Sequence, residues 1–182
     1  MTPAPLLPLP PGERRLTLLR HAKSSWADPG AQDWDRPLNE RGERDAPAVG
    51  RHLAALGFRP TLFLTSPAVR ARRTAQIVAR ELGYPAEFLQ REPGLYLASP
   101  ETICAVVARE AGSLRDVVVC GHNPGLTELA NRLAGAGALD NLPTCGVFAV
   151  RLVLRGWDEL DGARGELEYF TRPKDLPASS PG

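Results

Sequence analysis

Apolar residues along the chain fall into two alternating rhythms. Short continuous runs mark buried strands at Leu16–Leu19, Thr61–Thr65, Glu87–Gln90, Asp116–Cys120, Val147–Leu154 and Glu166–Phe170. Between them lie stretches spaced for one face of a helix. Asn39 caps the first, which carries Ala46, Val49, Leu53 and Leu56 inward and is expected to kink or restart near Asp45 because Pro47 lacks a backbone donor. Ser66 and Pro67 supply the cap and first residue of the second, with Ala71, Ala75, Val78 and Leu82 inward. Ser99-Pro100 opens a third helix over Ile103, Val106 and Val107, and Asn123-Pro124 a fourth reaching about Leu133. The last two strands join through a Gly-rich turn around Trp157, as a hairpin at the sheet edge. About six strands alternating with four helices predict a three-layer α/β/α sandwich around a mostly parallel sheet.

In open α/β sheets ligands sit beyond the carboxyl ends of the strands, so the residues ending each run matter most. The first run ends in Arg20-His21 and the fourth in Gly121-His122-Asn123. A lone histidine there is most simply a hydrogen-bonded loop residue; two of them, with Arg70 in the first turn of the second helix, are harder to assign to chance. A cation at a helix N-terminus opposes the helix dipole by roughly 0.3–1 kcal/mol. A bound anion shared by the helix end and the guanidinium fork would offset that. Lys23 to Pro37, with Trp26 and Trp34, reads either as a wall of the same site, from which Lys23, Ser24 and Ser25 reach an anion, or as a solvated loop pinned by two tryptophans. His52, between Val49 and Leu53, reads as a surface or boundary histidine.

Composition narrows the classes. The 182 residues suffice to bury roughly 70% of the surface of the unfolded chain, so no staples are required. Residues 14–174 read as a single domain, with 1–13 and 175–182 as flexible tails rich in Pro, Ser and Gly. The cysteines Cys104, Cys120 and Cys145 are odd in number and widely spaced, which fits reduced thiols in a cytoplasmic protein better than a disulfide framework or zinc ribbon. A formal charge of +1 gives no general attraction to nucleic acid or membrane. Arg70, Arg72 and Arg73 lack interleaved aromatics, which weakens a nucleic-acid reading further. Five prolines break Met1–Pro11 and no run reaches membrane-spanning length. Gly135–Gly146 lacks the G-x-G-x-x-G spacing and follows a helix, so it is no dinucleotide fingerprint. Three distant histidines without an H-x-x-x-H or C-x-x-C motif supply no metal cluster.

Three segments together resemble the histidine phosphatase (phosphoglycerate mutase-like) superfamily. They are Leu18-Leu19-Arg20-His21, Thr65-Ser66-Pro67 through Arg70 to Thr74-Ala75, and Val119-Cys120-Gly121-His122-Asn123-Pro124-Gly125, and the likeness extends over nearly all of residues 15–174. The Arg20-to-Trp26 segment, Leu95-Tyr96 and the closing Arg172-Pro173-Lys174 are most similar to the SixA type, the phosphohistidine phosphatases. The resemblance implies a phosphoglycerate mutase-like sheet, His21 as nucleophile, and Arg20, Arg70 and His122 around the phosphoryl group. The mutases carry an acidic proton donor after the second arginine motif; here Glu92 is the one candidate, and its role stays open.

The chemistry agrees with those residue types. Phosphoryl transfer needs an in-line nucleophile and cations around the equatorial oxygens. A neutral imidazole, its pKa lowered by two guanidiniums, can attack to form a phosphohistidine that water cleaves. His122, charged once the substrate is bound, would complete the cradle without a metal or other cofactor. The expected activity is that of a metal-independent phosphatase whose partner is a phosphorylated protein carrying phosphohistidine. Alternatives are a small-molecule phosphomonoesterase or mutase, and a phosphate-binding module without turnover.

Overall fold

The computed structural model describes residues 5–177. Six strands form one sheet: β1 (Glu13–Arg20), β2 (Leu62–Thr65), β3 (Gln90–Arg91), β4 (Asp116–Gly121), β5 (Val147–Val153) and β6 (Gly165–Thr171). Their order across the sheet is β3-β2-β4-β1-β5-β6. The first four in that order run parallel, while β5 pairs antiparallel with β1 and β6 antiparallel with β5. The central position of β1 and β4 explains their unbroken apolar runs, because strands covered on both faces have no solvent side to alternate with.

The period of two divides those runs between layers. Leu16, Leu18, Val117 and Val119 pack with Phe148 and Val150 under α3 (Pro100–Ala111) and α4 (Gly125–Ala134). Leu19, Val118 and Cys120 face the other way with Phe63 and Val147, under α1 (Glu40–Ala55) and α2 (Val69–Glu81). The result is the expected helix-sheet-helix sandwich, with the β5–β6 hairpin at one edge.

Several local expectations change. The stretch at Glu87 forms a short 3₁₀ turn, Ala86–Phe88, and only Gln90–Arg91 reaches the sheet, as a two-residue edge strand. Helix α1 does not restart at Asp45 but runs through Pro47 as one element, capped by Asn39 Oδ1, which accepts from the Gly42 amide at 2.9 Å. Burial of Ala46, Val49 and Leu53 against the sheet and α2 holds it continuous, offsetting the one donor proline lacks. Helix α2 begins at Val69, not at Pro67, and Ala68 at its cap has no side-chain bond. Ser66 stands two residues before that cap, where its Oγ accepts from the Ala68 amide at 3.4 Å. Helix α4 likewise starts one residue late, at Gly125. Of the expected tails, residues 1–4 and 178–182 lie outside the described residues; Leu6 donates its amide to Leu56 O at 2.8 Å, and a 3₁₀ turn covers Pro173–Asp175.

Two glycines fix loops against the carboxyl edge of the sheet. A Cβ on Gly42 would stand 2.3 Å from Lys23 O, so only glycine lets α1 close on the segment behind His21. A Cβ on Gly125 would stand 1.9 Å from Ala98 O, so the start of α4 can meet the loop carrying Leu97 only without a side chain.

Candidate active site

His21 follows β1, His122 follows β4, and Arg70 lies in the first turn of α2 beyond β2. Adjacent parallel strands therefore deliver the three to one edge, and with Arg20 they line a cavity of about 200 Å³. Its remaining wall includes Lys23, Ser24, Trp26, Arg36 and Leu97. A larger cavity of about 460 Å³ lies at the opposite end of the strands, between Leu6–Leu9 and Arg115, and is lined by neither histidine.

Hydrogen bonds assign the protons on both rings. His21 Nδ1 lies 2.8 Å from Ala22 O, and a carbonyl only accepts, so Nδ1 carries the proton and Nε2 the lone pair. Arg70 Nε donates to that Nε2 across 3.4 Å. The same guanidinium reaches His122 Nδ1 at 3.4 Å, while His122 Nε2 lies 2.7 Å from Ser66 Oγ and donates to it. The serine that sequence assigned to capping therefore accepts from His122 as well as from the Ala68 amide. The ring centroids stand 5.3 Å apart, with one guanidinium between two imidazole lone pairs.

Burial is the main force on both histidines. It lowers His21 to about 4 against the upward pull of its Ala22 bond, helped by the Arg70, Arg20 and Arg36 charges. Burial also lowers His122 to about 3, followed by the effects of His21 and Arg70, with Asp33 opposing. The guanidiniums, to which sequence gave the whole effect, come second. Both rings are neutral at pH 7, so the His21 Nε2 lone pair is unprotonated and meets only the long bond from Arg70 Nε.

Arg20 places Nη1 2.9 Å from Leu142 O, whereas its buried Nε has no partner. An unpartnered charged donor beside the cavity is costly unless an anion accepts from it. Arg70 is braced from behind by Asp33, whose Oδ2 accepts from Arg70 Nη2 at 2.9 Å and from the Tyr96 hydroxyl at 2.7 Å. Arg36 donates to Asp33 Oδ1 at 3.0 Å. The Tyr96 bond first, then those from Arg70 and Arg36, hold Asp33 down at about 2. It is a carboxylate at neutral pH and holds Arg70 in place.

Sequence reasoning missed Asp33 and Arg36. Both come from the Lys23–Pro37 loop, where no periodicity marks direction. Arg36 is 7% exposed, donates to Ser24 Oγ and to Ser25 O, and stacks on Trp26. Of the loop residues expected to reach an anion, Lys23 and Ser24 line the cavity, while Ser25 Oγ accepts from Ala27 N at 3.0 Å. Glu92 is turned away from the cavity: its Oε2 accepts from Arg109 Nη2 at 2.6 Å, and it does not line the cavity. Glu92→Gln is accordingly expected to change kcat/KM on aryl phosphates by less than about threefold, well under the 10²–10⁴ typical of a lost general acid. A 10²-fold loss would return Glu92 to that role. Half-buried His52 bonds Tyr169 Oη at 2.6 Å, between core and surface as its position suggested.

The neutral histidines also predict how stability varies with pH. Their folded pKa values lie below the ordinary 6.5, so unfolding takes up protons only in acid. The penalty is absent above about pH 7, grows as pH falls through 6.5, and levels off near 4 and 3. Each ring should cost about 2 kcal/mol of unfolding free energy between pH 7 and pH 5. Urea titrations at the two pH values check this, and the loss of stability between them should shrink by about 2 kcal/mol in His21→Ala.

The histidine phosphatase superfamily (branch 1) model matches residues 16–93, a span holding the first two of the three site segments. An uncharacterized chloroplastic protein of Arabidopsis thaliana is 35% identical over 177 residues, covering 88% of this chain and 78% of its own. An uncharacterized protein of Mycobacterium tuberculosis is 32% identical over 165 residues, covering 86% of this chain and all of its own. The solved Agrobacterium tumefaciens protein assigned as the phosphohistidine phosphatase SixA superposes with a TM-score of 0.76 at 30% identity, over 88% of this chain and 98% of that one. A SixA protein histidine phosphatase bound to tungstate shares the fold, with a TM-score of 0.74 at 20% identity over 88% and 98% of the two chains. The chain belongs to the histidine phosphatase superfamily and is a phosphatase. Within that superfamily it is of the SixA type. No helix among the described residues is long and apolar enough to cross a membrane.

Proposed function

We propose that this phosphatase removes the phosphoryl group from phosphohistidine in proteins, through a covalent phosphohistidine on its own His21. The observation that carries the reading is the unprotonated His21 Nε2, held toward Arg70 on the floor of a cationic cavity. In the first step Nε2 forms a bond to phosphorus as the bond to the substrate's imidazole nitrogen breaks, and that nitrogen leaves with a proton from water. Arg20 Nε, Arg70 and Arg36 surround the three equatorial oxygens, and His122 gains a proton as charge accumulates, completing the cradle. Water then cleaves the His21–phosphorus bond and releases phosphate.

Among the described residues, the cavity lining includes no carboxylic acid that could protonate a poor leaving group. Imidazole needs none, because its ring protonates near neutral pH. Alkoxide does. Phosphohistidine peptides and aryl phosphates are therefore expected to turn over at least about 10²-fold faster than alkyl phosphates. The rates should be unchanged by a chelator, since guanidiniums supply the positive charge. The A. tumefaciens relative supports the substrate class. A purified-enzyme panel run with and without chelator tests both points; faster turnover of alkyl phosphates would move the activity to a general phosphomonoesterase. We place residues 14–174 as the working domain, in a reducing compartment such as the cytoplasm where Cys104, Cys120 and Cys145, all buried and unpaired, remain thiols.

A further inference from the structure

The cavity has a charged floor and an apolar mouth. Of its lining residues only Trp26 and Leu97 present large apolar side chains, and both are mostly exposed, at 73% and 55%. Neither position is an accident of a mobile surface. Trp26 is stacked against Arg36, whose guanidinium carbon stands 3.3 Å from the ring centroid, and Arg36 is itself fixed by Ser24, Ser25 and Asp33. One indole face is thus covered by an immobilised cation and the other left open. Leu97 has φ of 49°, in the left-handed region that a side chain adopts only at a cost. That backbone is pinned by the close approach of Gly125 to Ala98 O. Backbone strain of this kind clusters at ligand clamps and binding sites.

We infer that Trp26 and Leu97 form a platform for the leaving group, selecting a flat ring over a small or purely polar one. The inference rests on the phosphatase reading, because the platform borders the cavity in which the phosphoryl group is placed. A phosphoryl group held by Arg20 and Arg70 leaves its departing substituent pointing outward to the mouth. A flat ring there can stack on the open indole face, with Trp26 already placed by its stack on Arg36. The imidazole of a phosphohistidine side chain meets this demand, as does a phenyl ring. A substituent without a ring gains nothing from the platform. Trp26 and Leu97 act on specificity, while the bonds made and broken remain those at His21.

The test uses three substrates with the full chain: a phosphohistidine peptide, 4-nitrophenyl phosphate, and inorganic phosphoramidate, which has a P–N bond but no ring. Trp26→Ala is expected to lower kcat/KM on the two ring substrates at least tenfold, mostly through KM, and on phosphoramidate less than twofold. Trp26→Phe should restore most of the loss. Equal losses on all three substrates would show a structural role only, and no loss on any would show that the ring does not stack there; either overturns the inference. Labelling of His21 by phosphoramidate separates this failure from that of the enzyme reading. With His21 labelled but no discrimination in Trp26→Ala, the platform alone is wrong; with His21 unlabelled in the unaltered protein, both are.

Discussion

Replacing His21 by alanine is expected to lower turnover of phosphohistidine peptides and aryl phosphates by at least about 10⁴-fold, the scale of loss when a covalent nucleophile is removed. The loss should not come from unfolding. His21 belongs to neither apolar cluster of the sandwich, and its backbone amide keeps its bond to Gly121 O. Far-UV circular dichroism and the melting transition should therefore stay close to those of the unaltered protein while steady-state assays report the loss. His21→Ala within tenfold of full activity would remove the nucleophile from the ring assigned to it, and His122, its neighbour at 5.3 Å, would be the next group to test.

The second large effect falls on Arg70. Only 3% exposed, it spans His21 Nε2, His122 Nδ1 and Asp33 with one planar fork. Lysine preserves the charge but offers a single point of contact, so Arg70→Lys is expected to lose more than about tenfold in kcat, at least ~1.4 kcal/mol of barrier. Arg70→Ala removes the charge as well and should lose about 10²–10³-fold, as when a donor to a developing oxyanion is deleted. If Arg70 only bound substrate, KM would rise with kcat intact; loss in kcat at saturation distinguishes transition-state stabilisation from that case.

His21, His122 and Arg70 were legible in the sequence because each is placed by a local signal. His21 and His122 end apolar runs that could only be central strands, and Arg70 sits just inside a helix whose inward face is marked by Ala71, Ala75 and Val78. The remainder of the site depends on long-range packing that leaves no period. Asp33 reaches Arg70 across 37 positions and Tyr96 across 63, through a loop whose only regular element is the turn Asp33–Asp35. Glu92 shows the limit in reverse. Sequence fixed its place after β3 but not its direction, which is decided by Arg109 on α3. Ser66 failed as a cap because α2 starts two residues later than Pro67, at Val69, so that Ala68 holds the cap position; the serine oxygen accepts instead from the Ala68 amide and from His122 Nε2.

The account turns on the bond between His21 and phosphorus. Mixing the protein with a phosphohistidine peptide, quenching at high pH within milliseconds and mapping phosphate by mass spectrometry tests it most directly, because phosphoramidates survive base. The account predicts phosphate on the peptide containing Leu19, Arg20 and His21, at a level that decays as free phosphate appears and that vanishes in His21→Ala. Product formed at full rate with no label on His21 at any time, or with label on His122 instead, would contradict it.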